Sequence, residues 1–241
     1  MTTLGRLRAS AARVAAVVVA SAAIGMAGGA RAQGASPLDP FEPFNRVVFE
    51  FNESIDRAVL KPVAEVYVRV TPDLFRYMFR SLIGNLLEPW NAVNNLLQGK
   101  PAAAASDVSR LVINLAFGFG LADLASDMGL ERSSEDLGQT LGVWGAGPGP
   151  YLVLPLLGPS SARDGLGRIV DIGLDPSRRI ADGGEFAAFT ALRLTEQRAS
   201  LLSVGRMVEG AALDRYTFFR NAYLQRRLNQ VYDGNPPELK E

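Results

Sequence analysis

Residues 142–159 read GVWGAGPGPYLVLPLLGP. The stretch is uncharged and crowded with glycine and proline, and the charge-free run around it extends from Leu137 to Ala162. Loops are ordinarily polar because water satisfies their backbone groups. Pro148, Pro150, Pro155 and Pro159 forbid a continuous helix, and YLVL (151–154) is the best strand signal in the chain. The glycines do not make a phosphate loop. A P-loop carries Lys and then Ser or Thr at fixed spacing, and a dinucleotide loop sits between a strand and a helix. The prolines also remove N–H groups that would hold phosphate. An apolar segment that is neither helix nor wet loop needs apolar surroundings, either a protein core or lipid.

The whole chain leans the same way. Its 241 residues are 48% hydrophobic and 21% charged, with a mean hydropathy of +0.09. That is apolar for a soluble protein of this size and too mixed for a helical transporter. Arg6, Arg8 and Arg13 precede VAAVVVASAAIGMA, and Ala30-Arg31-Ala32 fits a small-x-small cleavage site. Residues 1–32 therefore read as a secretory signal peptide and 33–38 as a linker. An uncleaved anchor is the competing reading, and the apolar run is short for one. Loss of four arginines from 25 basic and 25 acidic residues leaves a mature net charge of −4. That argues against nucleic acid as a partner.

The chain has no cysteine and no histidine. Disulfides, thiol nucleophiles, a lipidated cysteine, Ser-His-Asp and Cys-His catalysis and the common zinc sites are excluded. No cofactor and no metal are expected. Carboxylate-only catalysis and hard-cation binding through oxygen stay open.

The remainder predicts a mainly helical domain over 39–232 with a loose tail, 233–241. Asp39 is positioned to cap a first helix, with Pro40 at its first position. Phe41, Phe44, Val48, Phe51 and Ile55 form one stripe on it, and Asn45 and Asn52, seven apart, share a second face. Pro62 opens PVAEVYVRV, a third helix reads PDLFRYMFRSLIGNL, and Pro89 opens a fourth, PWNAVNNLLQ. A fifth starts near Pro101 and breaks at Gly118. SSEDLGQTLGVWG reads as a sixth, capped by Ser133 or Ser134, and SSARDGLGRIVDIG as a seventh, capped by Ser160 or Ser161. Gly184–Glu209 and Leu213–Tyr232 read as the last two. No sequence repeat and no βαβ alternation is visible.

Two polar clusters invite a chemical reading. Asp39, Glu42, Glu50, Glu53 and Asp56 crowd the first helix and fit a solvated face near a positive N-terminus. Glu88, Asn91, Asn94 and Asn95 fit buried structural pairing better than a ligand site. The apolar surface is harder to hide. No mature segment is long enough to cross a bilayer as a helix, so lipid contact is interfacial or within one leaflet. A proline-broken apolar loop fits the lip of a pore, since irregular backbone at membrane depth is tolerated when it is buried in protein or lines a cavity.

DPFEPFNRVVFEFN (39–52) with KPVAEVY (61–67) resembles the opening motif of the MlaA/VacJ family, outer-membrane components of the Mla phospholipid-transport system. Three further blocks match in the same order: GNLLEPWNAVNNLLQGKP (84–101), LGQTLGVWGAGPGPYLVLPLLGPSSARD (137–164) and DRYTFFRNAYLQRR (214–227). The resemblance implies a ring-like arrangement of short amphipathic helices in the inner leaflet of the outer membrane. A Pro/Gly-rich apolar hairpin or loop would lie beside an amphipathic channel. It implies removal of mislocalised phospholipids from the outer leaflet, delivery to a periplasmic lipid carrier, association with a trimeric porin, and no enzymatic activity. Phe41, Phe44, Asn45, Phe51, Asn52, Trp144, Tyr151, Leu154 and Leu156 are the expected lipid-pathway or membrane-contact residues. Many family members carry a lipidated cysteine and this chain has none. Attachment then falls to the apolar helix surface and protein partners, or the hold is peripheral. Two other classes compete: a periplasmic helical scaffold whose apolar patches bind envelope proteins, and a carboxylate hydrolase using acids such as Glu53 and Glu88.

Overall fold

The computed structural model describes residues 39–180, 183–211 and 214–237. The expected signal peptide and linker lie outside the described residues. Within them the protein is mainly helical with one β-hairpin. Helix α1 (Glu42–Ile55) runs through a π-helical turn (Asp56–Leu60) into α2 (Lys61–Val70). There follow α3 (Asp73–Leu97), α4 (Pro101–Gly118), α5 (Leu124–Asp127) and α6 (Leu137–Val143). Strands β1 (Tyr151–Leu154) and β2 (Gly158–Ser161) come next, then α7 (Ala162–Leu174), α8 (Ser177–Ile180), α9 (Gly184–Ser200), α10 (Leu202–Ala211) and α11 (Arg215–Val231).

The packing of α3 on α4 is inverted relative to a water-soluble pair. On α3 the buried positions are Ser81, Gly84, Asn85, Glu88, Asn91, Ala92, Asn94 and Asn95. On α4 they are Ala104, Asp107, Arg110, Asn114 and Gly118. Steps of three and four put each set on one face, and the two polar faces meet. Glu88 and Arg110 are both 0% exposed and 2.9 Å apart. Arg110 also reaches Asp123 at 2.8 Å, Ser126 at 3.2 Å and the carbonyl of Leu130. Asn114 donates to Asn85 at 2.8 Å and accepts from the Ala125 N–H at 2.9 Å, and Asn95 donates to Asp107 at 2.7 Å. Arg132 joins Glu88 at 3.2 Å and Asp123 at 3.1 Å. Its guanidinium crosses Gly84 where a Cβ would stand 1.8 Å from Nη1, so only glycine admits it.

The apolar side chains point away from this interior. Val59, Val63, Val66 and Val70 around α2, Leu74, Phe75 and Leu96 on α3, and Val108, Val112, Leu115 and Phe117 on α4 are all exposed. Most of the largest fully buried side chains are polar: Arg110, Gln139, Glu88, Asn45 and Asn94 lead them, with Tyr151 and Val153 the exceptions. Cores normally collect the aliphatic residues.

The break expected at Pro89 is absent, because α3 runs unbroken through it. Proline there withdraws one N–H and faces outward, while the opposite face is fastened to α4 and the following loop. Pro62 sits in the first turn of α2, as expected, directly after the π-helical turn. Asp39 does not cap α1, whose N-cap is Phe41 without a side-chain bond. It is buried instead, accepting from Asn45 (2.8 Å), the Tyr216 hydroxyl and Arg220 (3.3 Å). Asp136, not Ser133 or Ser134, caps α6, accepting from the Gln139 N–H at 2.8 Å. Ser161 caps α7 as expected. The long helix expected over 184–209 is divided at Leu201.

First and last helices meet. Arg46 on α1 pairs with Asp214 at 2.8 Å, and Phe49 packs edge-on to Tyr216 with ring centres 5.7 Å apart. Arg198 on α9 holds Asp56 at 2.6 Å, and Glu196 holds Arg80 of α3 at 3.1 Å. These links close the helices on themselves.

Glu88→Ala leaves two arginines short of their carboxylate and is expected to cost about 3–5 kcal/mol. Glu53→Gln, whose partner Arg215 is partly exposed, is expected to cost under about 1 kcal/mol. Chemical unfolding of the detergent-solubilised chain measures both, and equal effects would contradict the polar interior as the main support.

Candidate functional site

The charge-free stretch forms the antiparallel β1–β2 hairpin, in register Tyr151↔Ser161 to Leu154↔Gly158. Two asparagines of α1 act as its missing neighbour. Asn45 donates to the Tyr151 carbonyl (3.0 Å) and accepts from the Val153 N–H (2.9 Å). Asn52 repeats this with the Leu154 carbonyl (3.0 Å) and the Leu156 N–H (2.8 Å). Seven helical residues rise about 10.5 Å and three extended residues about 10 Å, so the two amides match the strand's repeat. An edge that would otherwise expose bare backbone groups is satisfied. The second amide also fixes Leu156 at φ 63°, a conformation that costs a non-glycine residue of order 1 kcal/mol. Val48, Tyr151, Val153 and Tyr216 form a small apolar core beneath.

Beyond β2, α7 is locked to α6 and α11. Asp164 accepts from Arg227 (2.9 and 3.1 Å), Arg163 (2.9 Å) and the Tyr223 hydroxyl. Burial alone would raise its carboxyl, but bonds from Arg227 and Tyr223 hold it well below the usual carboxylate range. Arg227 also grips Asp136 with both terminal nitrogens, at 2.7 and 2.6 Å. Helices α6 and α7 cross at glycines. A Cβ on Gly167 would sit 2.6 Å from the Gly138 backbone nitrogen, and one on Gly138 would meet Arg227 and Asp164.

This junction borders a cavity of about 690 Å³. Leu87, Trp90, Leu157, Ile172, Leu201 and Phe219 supply apolar wall, and Arg168, Asp171, Asp175, Arg193, Arg226 and Arg227 supply polar wall. Asp171 accepts from the Trp90 indole (2.9 Å) and the Leu137 N–H (3.2 Å), and burial pushes its carboxyl up. Burial also pushes Glu135 up, against a 2.9 Å bond from Gln98. Asp175 takes Arg193 at 2.7 Å. Glu53 and Glu88, the proposed hydrolytic acids, are engaged by arginines in separate places. Among the described residues no group of three or more His, Cys, Asp or Glu could hold a metal, and no helix is long and apolar enough to cross a membrane. The cavity is amphipathic, with five carboxylates and four arginines beside its apolar wall.

None of the nine sequence-predicted residues lines it. Phe44, Phe51, Trp144 and Leu156 are exposed on the outer surface, and Phe41, Asn52 and Leu154 are half-buried. Asn45 and Tyr151 are 0% and 1% exposed and hold the hairpin to α1 from inside. The cavity residues went unread because α7 and α11 mix charge and apolar bulk on one face. The one visible signal was the three-to-four spacing of Phe219, Ala222 and Arg226.

These features define a helical protein with an ion-paired interior, an apolar exterior and an amphipathic cavity. Comparison narrows the class. The family model described as MlaA lipoprotein matches residues 37–230. The intermembrane phospholipid transport system lipoprotein MlaA of Haemophilus influenzae is 31% identical over 209 residues, covering 84% of this chain and 83% of its own. That of Escherichia coli K12 is 32% identical, covering 84% and 80%. An uncharacterized protein of Rickettsia bellii is 36% identical, covering 78% and 75%. A solved chain described under the structural basis for maintenance of bacterial outer membrane lipid asymmetry superimposes with a TM-score of 0.70 at 31% identity. It covers 82% of this chain and 99% of its own. The chain belongs to the MlaA lipoprotein family.

Because the folded-state pKa of Asp164 is depressed, its stabilisation is fully present above about pH 4 and is lost as pH falls through the depressed value. Asp164→Asn is expected to flatten this part of the stability–pH curve, measured by thermal unfolding between pH 2 and 6. An unchanged slope would contradict the pairing.

Proposed function

We propose that this chain is a channel-like outer-membrane component on the periplasmic side. It removes mislocalised phospholipids from the outer leaflet and passes them to a periplasmic carrier, so maintaining lipid asymmetry. One observation carries this reading: large apolar side chains face outward around an ion-paired interior, beside a cavity with both apolar and charged walls. Lipid tails around the exterior remove the penalty that water imposes on that surface, at about 25 cal/mol per Å². The step is passive, as the cavity holds and orients lipid without making or breaking bonds. At the hairpin tip, Leu156 (66% exposed) faces lipid and Leu157 faces the cavity. The named H. influenzae and E. coli relatives support phospholipid as cargo. The porin and the carrier rest on the family resemblance. The apolar exterior supplies a membrane hold.

Cells lacking the chain are expected to accumulate phospholipid in the outer leaflet, and Leu156→Asp is expected to restore asymmetry poorly. Surface labelling of phospholipid measures both, and unchanged asymmetry on deletion would overturn the proposal. Release of the chain from membranes by salt alone would favour the periplasmic scaffold.

A further inference from the structure

We infer that Arg168 and Arg226 form a recognition site for a phosphodiester headgroup inside the cavity, an assignment that rests on the cavity being a lipid path. Hydrogen-bond accounting singles them out. The five carboxylates that line the cavity are Glu135, Asp136, Asp164, Asp171 and Asp175. Each already accepts from a side chain or backbone donor: Gln98, Arg227, Arg227 again, Trp90 and Arg193 in turn. Among the lining arginines, Arg193 and Arg227 are spent on those acids. Arg168 donates only to the Leu157 carbonyl, at 3.0 Å, and among the described residues neither it nor Arg226 meets a carboxylate. The cavity therefore offers a guest free guanidinium donors and few free acceptors.

The two arginines also stand on helices that meet at one junction, and both line the cavity beside it. Asp164 of α7 binds Tyr223 and Arg227 of α11. Arg168 lies one helical turn past Asp164, and Arg226 lies between the two α11 residues that hold it. Each arginine also ends an apolar strip of its own helix: Ile172 one turn from Arg168, and Ala222 and Phe219 one and two turns from Arg226, all lining the cavity. A planar fork of N–H donors matches the paired oxygens of a phosphodiester, where an ammonium offers only a point charge. A solvated guanidinium on a helix face is the ordinary alternative. Both side chains are exposed, as that alternative requires; what favours the headgroup site is that both line one amphipathic cavity whose other arginines are paired to carboxylates.

The test uses the detergent-solubilised full chain and calorimetric titration with dioctanoylphosphatidylglycerol, with dioctanoylglycerol, which keeps the tails and lacks the phosphate, and with inorganic phosphate. The expected result is that Arg226→Gln weakens phosphatidylglycerol binding about tenfold, that Arg168→Gln/Arg226→Gln weakens it further, and that dioctanoylglycerol binds as before. Arg226 makes no hydrogen bond or ion pair among the described residues, so the single variant reports on binding and not on folding. Unchanged phosphatidylglycerol binding in the double variant, or equal loss for both lipids, would overturn the site. Inorganic phosphate binding as tightly as phosphatidylglycerol, with the same arginine dependence, would reassign it to a free anion and reject the headgroup. If the unaltered chain binds neither lipid, the lipid path itself fails, and the site with it.

Discussion

A carboxylate and a guanidinium sealed from solvent, Glu88 and Arg110, decide which side of each helix faces in. Ions so placed are tolerable only when paired and further hydrogen-bonded. Asp123, Ser126 and the Leu130 carbonyl supply those bonds to Arg110, and Arg132 and Asn91 supply them to Glu88. Once the polar stripes are committed to each other, the aliphatic stripes have nowhere to go but out. The exterior of the protein is thus a consequence of its interior, and a lipid setting is the one in which both are favourable.

The hairpin follows the same logic on a smaller scale. Four prolines and an unbroken apolar run rule out a helix, and a lone two-stranded ribbon is marginal. Asn45 and Asn52 stand in for a third strand, so backbone groups are satisfied without water. That allows an irregular segment to sit where water is scarce, with its tip between the outer surface and the cavity. Close glycine contacts between α6 and α7, and Arg227 bound to both, set the cavity wall that the tip adjoins.

Much of the fold was legible. The hairpin, the ends of α4 and the Ser161 cap of α7 follow from turn chemistry and capping. The pairing of Asn45 with Asn52 was visible as a shared face, but not what that face bonds. Helical periodicity marks the boundary between two faces and is silent on which is buried. Hence the phenylalanine stripe of α1 was identified while Phe44 and Phe51 face outward and Asn45 inward. Pro89 misled because outward-facing proline leaves the polar fastening intact. The cavity was not legible, since Trp90, Arg168 and Arg226 come from three helices joined by tertiary contacts, the Trp90–Asp171 hydrogen bond and the Asp164–Arg227 ion pair among them.

The central claim is that the exposed apolar faces of α2, α3 and α4 contact lipid. A cysteine-free chain permits single cysteines at Val66, Phe75 and Val112, each carrying a nitroxide, in protein reconstituted into bilayers. Collision rates with oxygen and with a water-soluble nickel complex report the surroundings of each label. The account predicts high oxygen and low nickel accessibility at all three positions. High nickel accessibility at all three would contradict it.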